Sequence, residues 1–361
     1  MRGLRYIVLL LATIFISCRS ERTQPDTESI FEPRYAEGFS IERDKTDGRL
    51  YLRVTNPWQG AKDVAIYSPI DKPAQRIVAM SSSYVAMLDA IGCSDHIAGV
   101  SGARFISTPS VAEQIAQGRV CEVGFDGTFD FERIRAIGAD LILLYGVAGE
   151  AKMLSNRLDD LDIHYIYIGD YLETEPLGRA EWVIALAYLC GKEEAGKRLF
   201  AEIEGRYIAT RDAIDSTTSR PRVMLNTPYR DSWFMPPTKS YAIRLIEDAG
   251  GEYIYEGNNS TISKPISLEE ALLLARKADF WLNVGQIASL DELRRSVPHF
   301  AEIDAVRNHR VYNNTRRTTP NGGSDFWESG AIRPDIILSD LVKILHSEAK
   351  SEELYYYEQL Q

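Results

Sequence analysis

A helical tract running from Leu177 to Ile214, broken at Gly191, separates two halves of the chain that repeat one another. That arrangement limits the fold more than any single motif. From Lys192 onward, Phe200, Ile203, Tyr207 and Ile214 recur at three-, four- and seven-residue steps and share one helical face, while Glu193, Glu194, Lys197, Arg198, Glu202 and Arg206 share the other. At about 1.5 Å per residue, this stretch reaches roughly 35 Å, enough for one helix to bridge two lobes.

The first half alternates strands and helices. A short apolar run over 76–80 leads into Ser81-Ser82-Ser83, which supplies a helix N-cap, and the helix that follows is closed by Gly92. Strands are predicted over 97–100, 120–123, 141–145 and 164–168, with helices over 129–137 and 151–158. The second half restarts with strands over 222–225, 280–284 and 310–312 and helices over 241–249, 268–278, 290–295, 300–306 and 334–345. One stretch can be matched directly. In each half an amphipathic helix, from Phe131 or from Leu268, enters a buried strand through an Ala-Asp corner, Ala139-Asp140 or Ala278-Asp279. Continuous apolar strands separated by helices predict parallel sheets covered on both faces. The predicted fold class is therefore α/β, with two Rossmann-like lobes, each holding a central, mostly parallel sheet, joined by a long bridging α-helix. Loops at the carboxyl ends of the strands then line a cleft between the lobes.

The ends of the chain carry other information. Arg2 and Arg5 precede an apolar run from Tyr6 to Ile16 and then Ser17-Cys18, an export leader too short to span a bilayer permanently. Phe15-Ile16-Ser17-Cys18 resembles a lipobox, which makes Cys18 the expected lipid-bearing residue and the membrane a partner through that lipid. The predicted organisation is a leader over 1–17, an anchor and tether over 18–38, and a small β extension over 39–70. An N-terminal lobe over 71–170, the bridging helix over 171–215, a C-terminal lobe over 216–346 and a polar tail over 347–361 follow. Within the extension, Trp58 is read as packing on the first lobe, with a ligand-contacting flap as the alternative.

Export places the chain where disulfides form. Cys93 and Cys121, both in the first half, are the expected pair, with buried free thiols as the alternative to a bridge, and Cys190 is left over. No cysteine pair has metal-site spacing and the five histidines are scattered singly, so no histidine-built metal site is expected. The formal charge of -11 becomes more negative once the leader's arginines are lost, which argues against nucleic acid as a partner.

The run from Gln75 to Ser83, then Leu88 to Gly92, Ile97 to Val100 and the helix and strand beginning at Glu132, resembles the opening of the helical-backbone substrate-binding proteins that serve ATP-driven importers. Asn56-Pro57-Trp58-Gln59-Gly60 and Asp325 to Gly330 look like a lipid-anchored subgroup. The resemblance implies a monomeric receptor for a metal chelate, delivering it to an ABC permease and ATPase complex. A ferric siderophore leads, followed by cobalamin and then haem. No resident cofactor is implied, the metal arriving only inside the bound chelate. It also implies an exposed glutamate on each lobe that docks on permease arginines. Glu132 and Glu269 fill those places; Glu270 is the rival to Glu269, but Ser267 and Glu270 form a capping box that turns Glu270 back to the helix backbone and leaves Glu269 free.

Side chains on cleft-facing loops are the candidate ligand contacts. They are Ser83, Tyr84, Arg104 and Phe125 from the first lobe and Tyr229, Arg230, Trp233, Arg316, Arg317 and Trp327 from the second. Arginines offer forked donors to carboxylate or catecholate oxygens, and aromatic faces cover flat chelates. The competing class is an exported hydrolase. No Gly-x-Ser-x-Gly is present, and the pair Asp325 and Glu328 has the spacing of one helical turn as readily as that of a catalytic dyad.

Overall fold

The computed structural model describes residues 24–125, 128–146, 150–214, 219–346 and 353–361. The leader and Cys18 lie outside the described residues.

The extension is a four-stranded antiparallel meander, β1 (Thr27–Phe31), β2 (Phe39–Asp44), β3 (Leu50–Thr55) and β4 (Ala65–Ile70). Residues 47–48 make the predicted turn, with the Asp44 carboxylate accepting from the Thr46 and Asp47 amides. β1 was not foreseen, since its residues fall in the stretch read as tether. Its pairing with β2 is carried by the backbone ladder and by the Thr27 hydroxyl donating to Glu42, while Ile30 and Phe31 pack on the core, Phe31 stacking on Phe39 at 6.1 Å. The amides that follow are also satisfied. Glu181 accepts from those of Arg34, Tyr35 and Ala36, and Glu173 from those of Glu37 and Gly38, so two buried carboxylates hold this segment down.

The N-terminal lobe holds a wholly parallel sheet of β5 (Ile77–Ala79), β6 (Ile97–Val100), β7 (Cys121–Glu122), β8 (Leu141–Leu144) and β9 (Tyr165–Tyr167), in the order β7-β6-β5-β8-β9. The C-terminal lobe contributes β10 (Arg222–Leu225), β11 (Ser232–Met235), β12 (Glu252–Tyr253), β13 (Lys264–Ser267), β14 (Phe280–Leu282), β15 (Val311–Asn313) and β16 (Glu358–Gln359). Its sheet runs β12-β10-β14-β15-β16, parallel except for β16, while β11 and β13 form a separate antiparallel ribbon. The matched Ala-Asp corners do the same work in both lobes. Asp140 accepts from the Gln75 and Arg76 amides at the start of β5, and Asp279 accepts from the Arg222 amide at the start of β10.

The bridging tract is two helices, Pro176–Cys190 and Glu193–Asp212. Gly191 at the break has φ +65°, a left-handed conformation that ends the first helix cheaply only because it lacks a Cβ. Every residue of the first helix except Arg179 is buried, and it packs on helix Ser82–Ala90 and on β2. The second is amphipathic, burying Gly196, Phe200, Ile203, Glu204 and Tyr207, and packs on helix Pro334–His346 of the other lobe. There Arg206 donates to Asp335 at 2.7 Å. No helix among the described residues is long and apolar enough to cross a membrane.

The predicted polar tail is, over 353–361, part of the core. The Asp340 carboxylate accepts from the amides of Tyr355, Tyr356 and Tyr357, Leu354, Tyr356, Tyr357 and Leu360 are buried, and β16 extends the sheet. Tyrosine reads as polar in composition but buries its ring whenever its hydroxyl finds a partner, as Tyr356 does with Ser329 at 2.7 Å.

Candidate functional site

Loops that follow the parallel strands of the two lobes meet, Ser107 and Thr108 after β6 bonding Glu328 of the other lobe, and in such sheets ligands bind at the carboxyl ends of the strands. After β6 the chain turns at Gly102, whose amide bonds the Gly124 carbonyl at 3.1 Å, and this brings the loops after β6 and β7 together. The Arg104 guanidinium lies 4.5 Å from the Phe105 ring centroid and 5.6 Å from that of Phe125, and the two rings are 5.2 Å apart. Such exposed cation–π contacts contribute only about 0.5–1 kcal/mol each, so they orient Arg104 without removing it from solvent. Arg104 and Phe125 are exposed and remain available to a ligand.

Two further aromatics stand at this edge that the sequence reading passed over. Tyr145 follows β8 and Tyr171 follows β9, both exposed, and the Tyr171 hydroxyl donates to the Gly146 carbonyl. Burial pushes the Tyr171 phenol above its ordinary value. Their signal was present: Tyr145 ends the aliphatic run Leu141–Leu144 with a polar tip, and Tyr171 follows Gly169-Asp170 directly after a strand. Trp58 of the extension bridges to Gly146 and packs on Tyr167 at 5.5 Å, and its neighbour Gln59 reaches the Thr261 carbonyl of the other lobe at 3.4 Å. The extension thus meets the edge of the cleft.

From the second lobe, Tyr229 and Arg230 form an exposed turn closed by the Tyr229 amide on the Ser232 carbonyl, with Arg230 5.2 Å from the Tyr229 ring. Arg316 follows β15 and is exposed, and Trp327 is 54% exposed, the largest ring presented by the second lobe.

Other candidates go elsewhere. Tyr84 is fully buried and its hydroxyl donates to the Ile168 carbonyl at 3.0 Å, which makes it core. Trp233 is equally buried, because the stretch read as a loop is β11 and alternate residues point inward: its ring packs on Phe300 at 5.0 Å and on Trp281 at 5.5 Å, and its indole donates to the Leu225 carbonyl. Ser83 is buried, and its hydroxyl pairs with that of Ser81 at 2.9 Å, so the serine run begins the helix without a side-chain cap. Arg317 is held by Asp325 and lies 4.3 Å from the Tyr355 ring. Glu328, the other half of the suspected dyad, is buried and accepts from the Ser107 amide at 2.8 Å, the Thr108 amide at 2.7 Å and the Thr108 hydroxyl. It is a clasp between lobes. Gly323 allows it, since a Cβ there would sit 2.0 Å from the Phe105 carbonyl oxygen.

Glu132 and Glu269 are exposed in the first turns of equivalent helices, Phe131–Ala136 and Leu268–Ala275. Asp130 caps one through the Arg133 amide and Ser267 the other through the Glu270 amide. Its own backbone amide, and then the Ser267 hydroxyl, hold the Glu269 carboxyl below the usual carboxylate range. Among the described residues, side chains able to hold a metal ion gather at Cys93, His96 and Cys190, on the first lobe where it meets the bridging tract, a grouping that sequence spacing does not reveal.

The periplasmic binding protein family matches this chain over residues 77–317. The sequence is 28% identical over 292 residues to an uncharacterized lipoprotein of Methanocaldococcus jannaschii, covering 78% of this chain and 68% of the relative. The fold is similar to a periplasmic heme binding protein from Pseudomonas aeruginosa, with a TM-score of 0.60 at 17% identity over 80% of this chain and 98% of that one. It is similar too to the siderophore binding protein FhuD from Vibrio cholerae, bound to Fe3+-Desferal, with a TM-score of 0.55 at 17% identity over 75% and 99% of the chains.

Proposed function

The chain belongs to the periplasmic binding protein family, and from that premise we propose that it is the extracytoplasmic, lipid-anchored receptor of an ABC importer that captures a metal chelate, foremost a ferric siderophore, between its lobes. The observation that carries the reading is the exposed set on the loops after the strands: Arg104 resting beside Phe105 and Phe125, with Phe125, Tyr145, Tyr171, Tyr229 and Trp327, and Arg230 and Arg316. Rings of this kind cover a flat chelate and guanidinium forks neutralise its oxygens, whereas a hydrolase would need a nucleophile or a carboxylate dyad, and Glu328 is committed to backbone amides. The lipid anchor at Cys18 is supported by the lipobox-like sequence and by the lipoprotein relative. Cobalamin and haem are the alternatives, because the same rings also suit a macrocycle.

The test is tryptophan fluorescence of the soluble form beginning after Cys18, titrated separately with ferric siderophores, cobalamin and haemin. Saturable quenching by a ferric siderophore is expected, weakened about tenfold in Arg104→Ala, the loss of one charge-assisted contact. Response to cobalamin or haemin alone selects the alternative. No response to any of the three removes the chelate reading.

A further inference from the structure

We infer that in the exported protein Cys93 and Cys190 are joined by a disulfide, which makes the N-terminal lobe and the first helix of the bridging tract one covalent body. Cys93 follows the turn that ends helix Ser82–Ala90, and Cys190 is the last residue of helix Pro176–Cys190. Their Sγ atoms and a ring nitrogen of His96 all lie within 4.8 Å of one another. Both cysteines are buried, and their chain neighbours Leu189 and His96 are tied to one residue, Ala74. The Ala74 amide donates to the Leu189 carbonyl at 2.8 Å, and Nδ1 of His96 bonds the Ala74 carbonyl at 2.9 Å. Three chain segments therefore meet where the two sulfurs come within reach of each other. Cys121, the partner expected from its place in the sequence, stands on β7 and is not part of this group.

Once helix Pro176–Cys190 is seated, the two thiols lie against each other. There the neighbouring Cys190 thiol, with His96 and Lys192 also contributing, lowers the Cys93 thiol, while Cys93 and burial push Cys190 up. A bound cation would have to share the place with the positive charge of Lys192, which favours the cross-link over a metal ion. The inference rests on the extracytoplasmic location, where an external disulfide of a thiol oxidase or small molecule is the oxidant. The Cys93 thiolate attacks one sulfur of that disulfide and releases one external thiolate. The Cys190 sulfur then attacks the Cys93 sulfur, its proton passing to the second departing thiolate. Two S–H bonds are lost, one S–S bond forms, and the external disulfide is reduced to two thiols. Because both sulfurs are buried in the folded chain, the exchange precedes the seating of helix Pro176–Cys190.

The protein, purified from membranes without reductant, should be alkylated in denaturant before and after reduction and mapped by mass spectrometry. Cys121 should take the label in both samples, and Cys93 and Cys190 only after reduction, with their peptides linked in the unreduced digest. Labelling of both without reductant overturns the inference, as does a linkage to Cys121 or a stoichiometric metal ion accompanying two alkylatable thiols. A second reading uses stability: reductant should lower the melting temperature of the wild-type protein by roughly 5–10 °C, as expected for opening so long a loop, and leave C93A/C190A unchanged. Equal sensitivity in both proteins overturns it.

Discussion

Glu328 shows how one carboxylate can decide where two lobes meet. Its two oxygens accept from consecutive amides, Ser107 and Thr108, of the opposite lobe. Burial, the largest influence, lifts its carboxyl above the ordinary 4.5, against the pull of those hydrogen bonds. Between 4.5 and the raised value the folded state therefore binds a proton more readily than the unfolded chain. The contribution to stability is complete below 4.5 and is lost as pH rises through the raised value. Glu328→Gln abolishes this titration, and in either amide orientation it sets an NH2 against a backbone N–H, at a cost of about 1–3 kcal/mol. Urea unfolding should show that cost, and the stability advantage of wild type over E328Q should shrink as pH rises from 4.5. An advantage that grows with pH would mean that the amides outweigh burial. Residue roles at this scale were only half legible. Sequence order places Tyr84 and Trp233 next to strand ends, but it does not say which side of the backbone a ring takes, and in the apolar run Trp233-Phe234-Met235 the alternation that would reveal β11 is hidden.

Elements were more legible where backbone chemistry writes itself into residue type. Gly191 marks the break in the bridging tract, and the Ala-Asp corners mark the duplicated junctions because each aspartate closes a strand start in its own lobe. Elements held by distant partners were not legible. β1 depends on β2, the segment after it on Glu181 and Glu173 far along the chain, and the terminal segment on Asp340. Asp340→Ala leaves the three tyrosine amides without their acceptor, a loss of about 1–3 kcal/mol that falls on this segment. Amide exchange at Tyr355, Tyr356 and Tyr357 should accelerate about ten- to hundredfold while β5 to β9 keep their protection. Uniform acceleration through the molecule would instead make the segment part of a single cooperative unit.

At the scale of the whole molecule, the duplicated lobes present equivalent surfaces as well as equivalent strand ends. Glu132 and Glu269 occupy the first turns of matched helices, each behind its own N-cap, and both face solvent. An exposed carboxylate contributes little to folding, so its removal should leave the protein intact. In the proposed docking role the two like charges, held by a frame of two bridging helices and the Glu328 clasp, would be read at once by a membrane partner bearing two basic sites. If the chain delivers its ligand to a permease, E132A/E269A should melt within about 1 °C of wild type, bind the chelate with unchanged affinity and lose uptake, each single variant losing part of it. Loss of chelate binding in the double variant would place these residues at the ligand rather than at the permease. Undiminished uptake would move the docking surface to another face of the lobes.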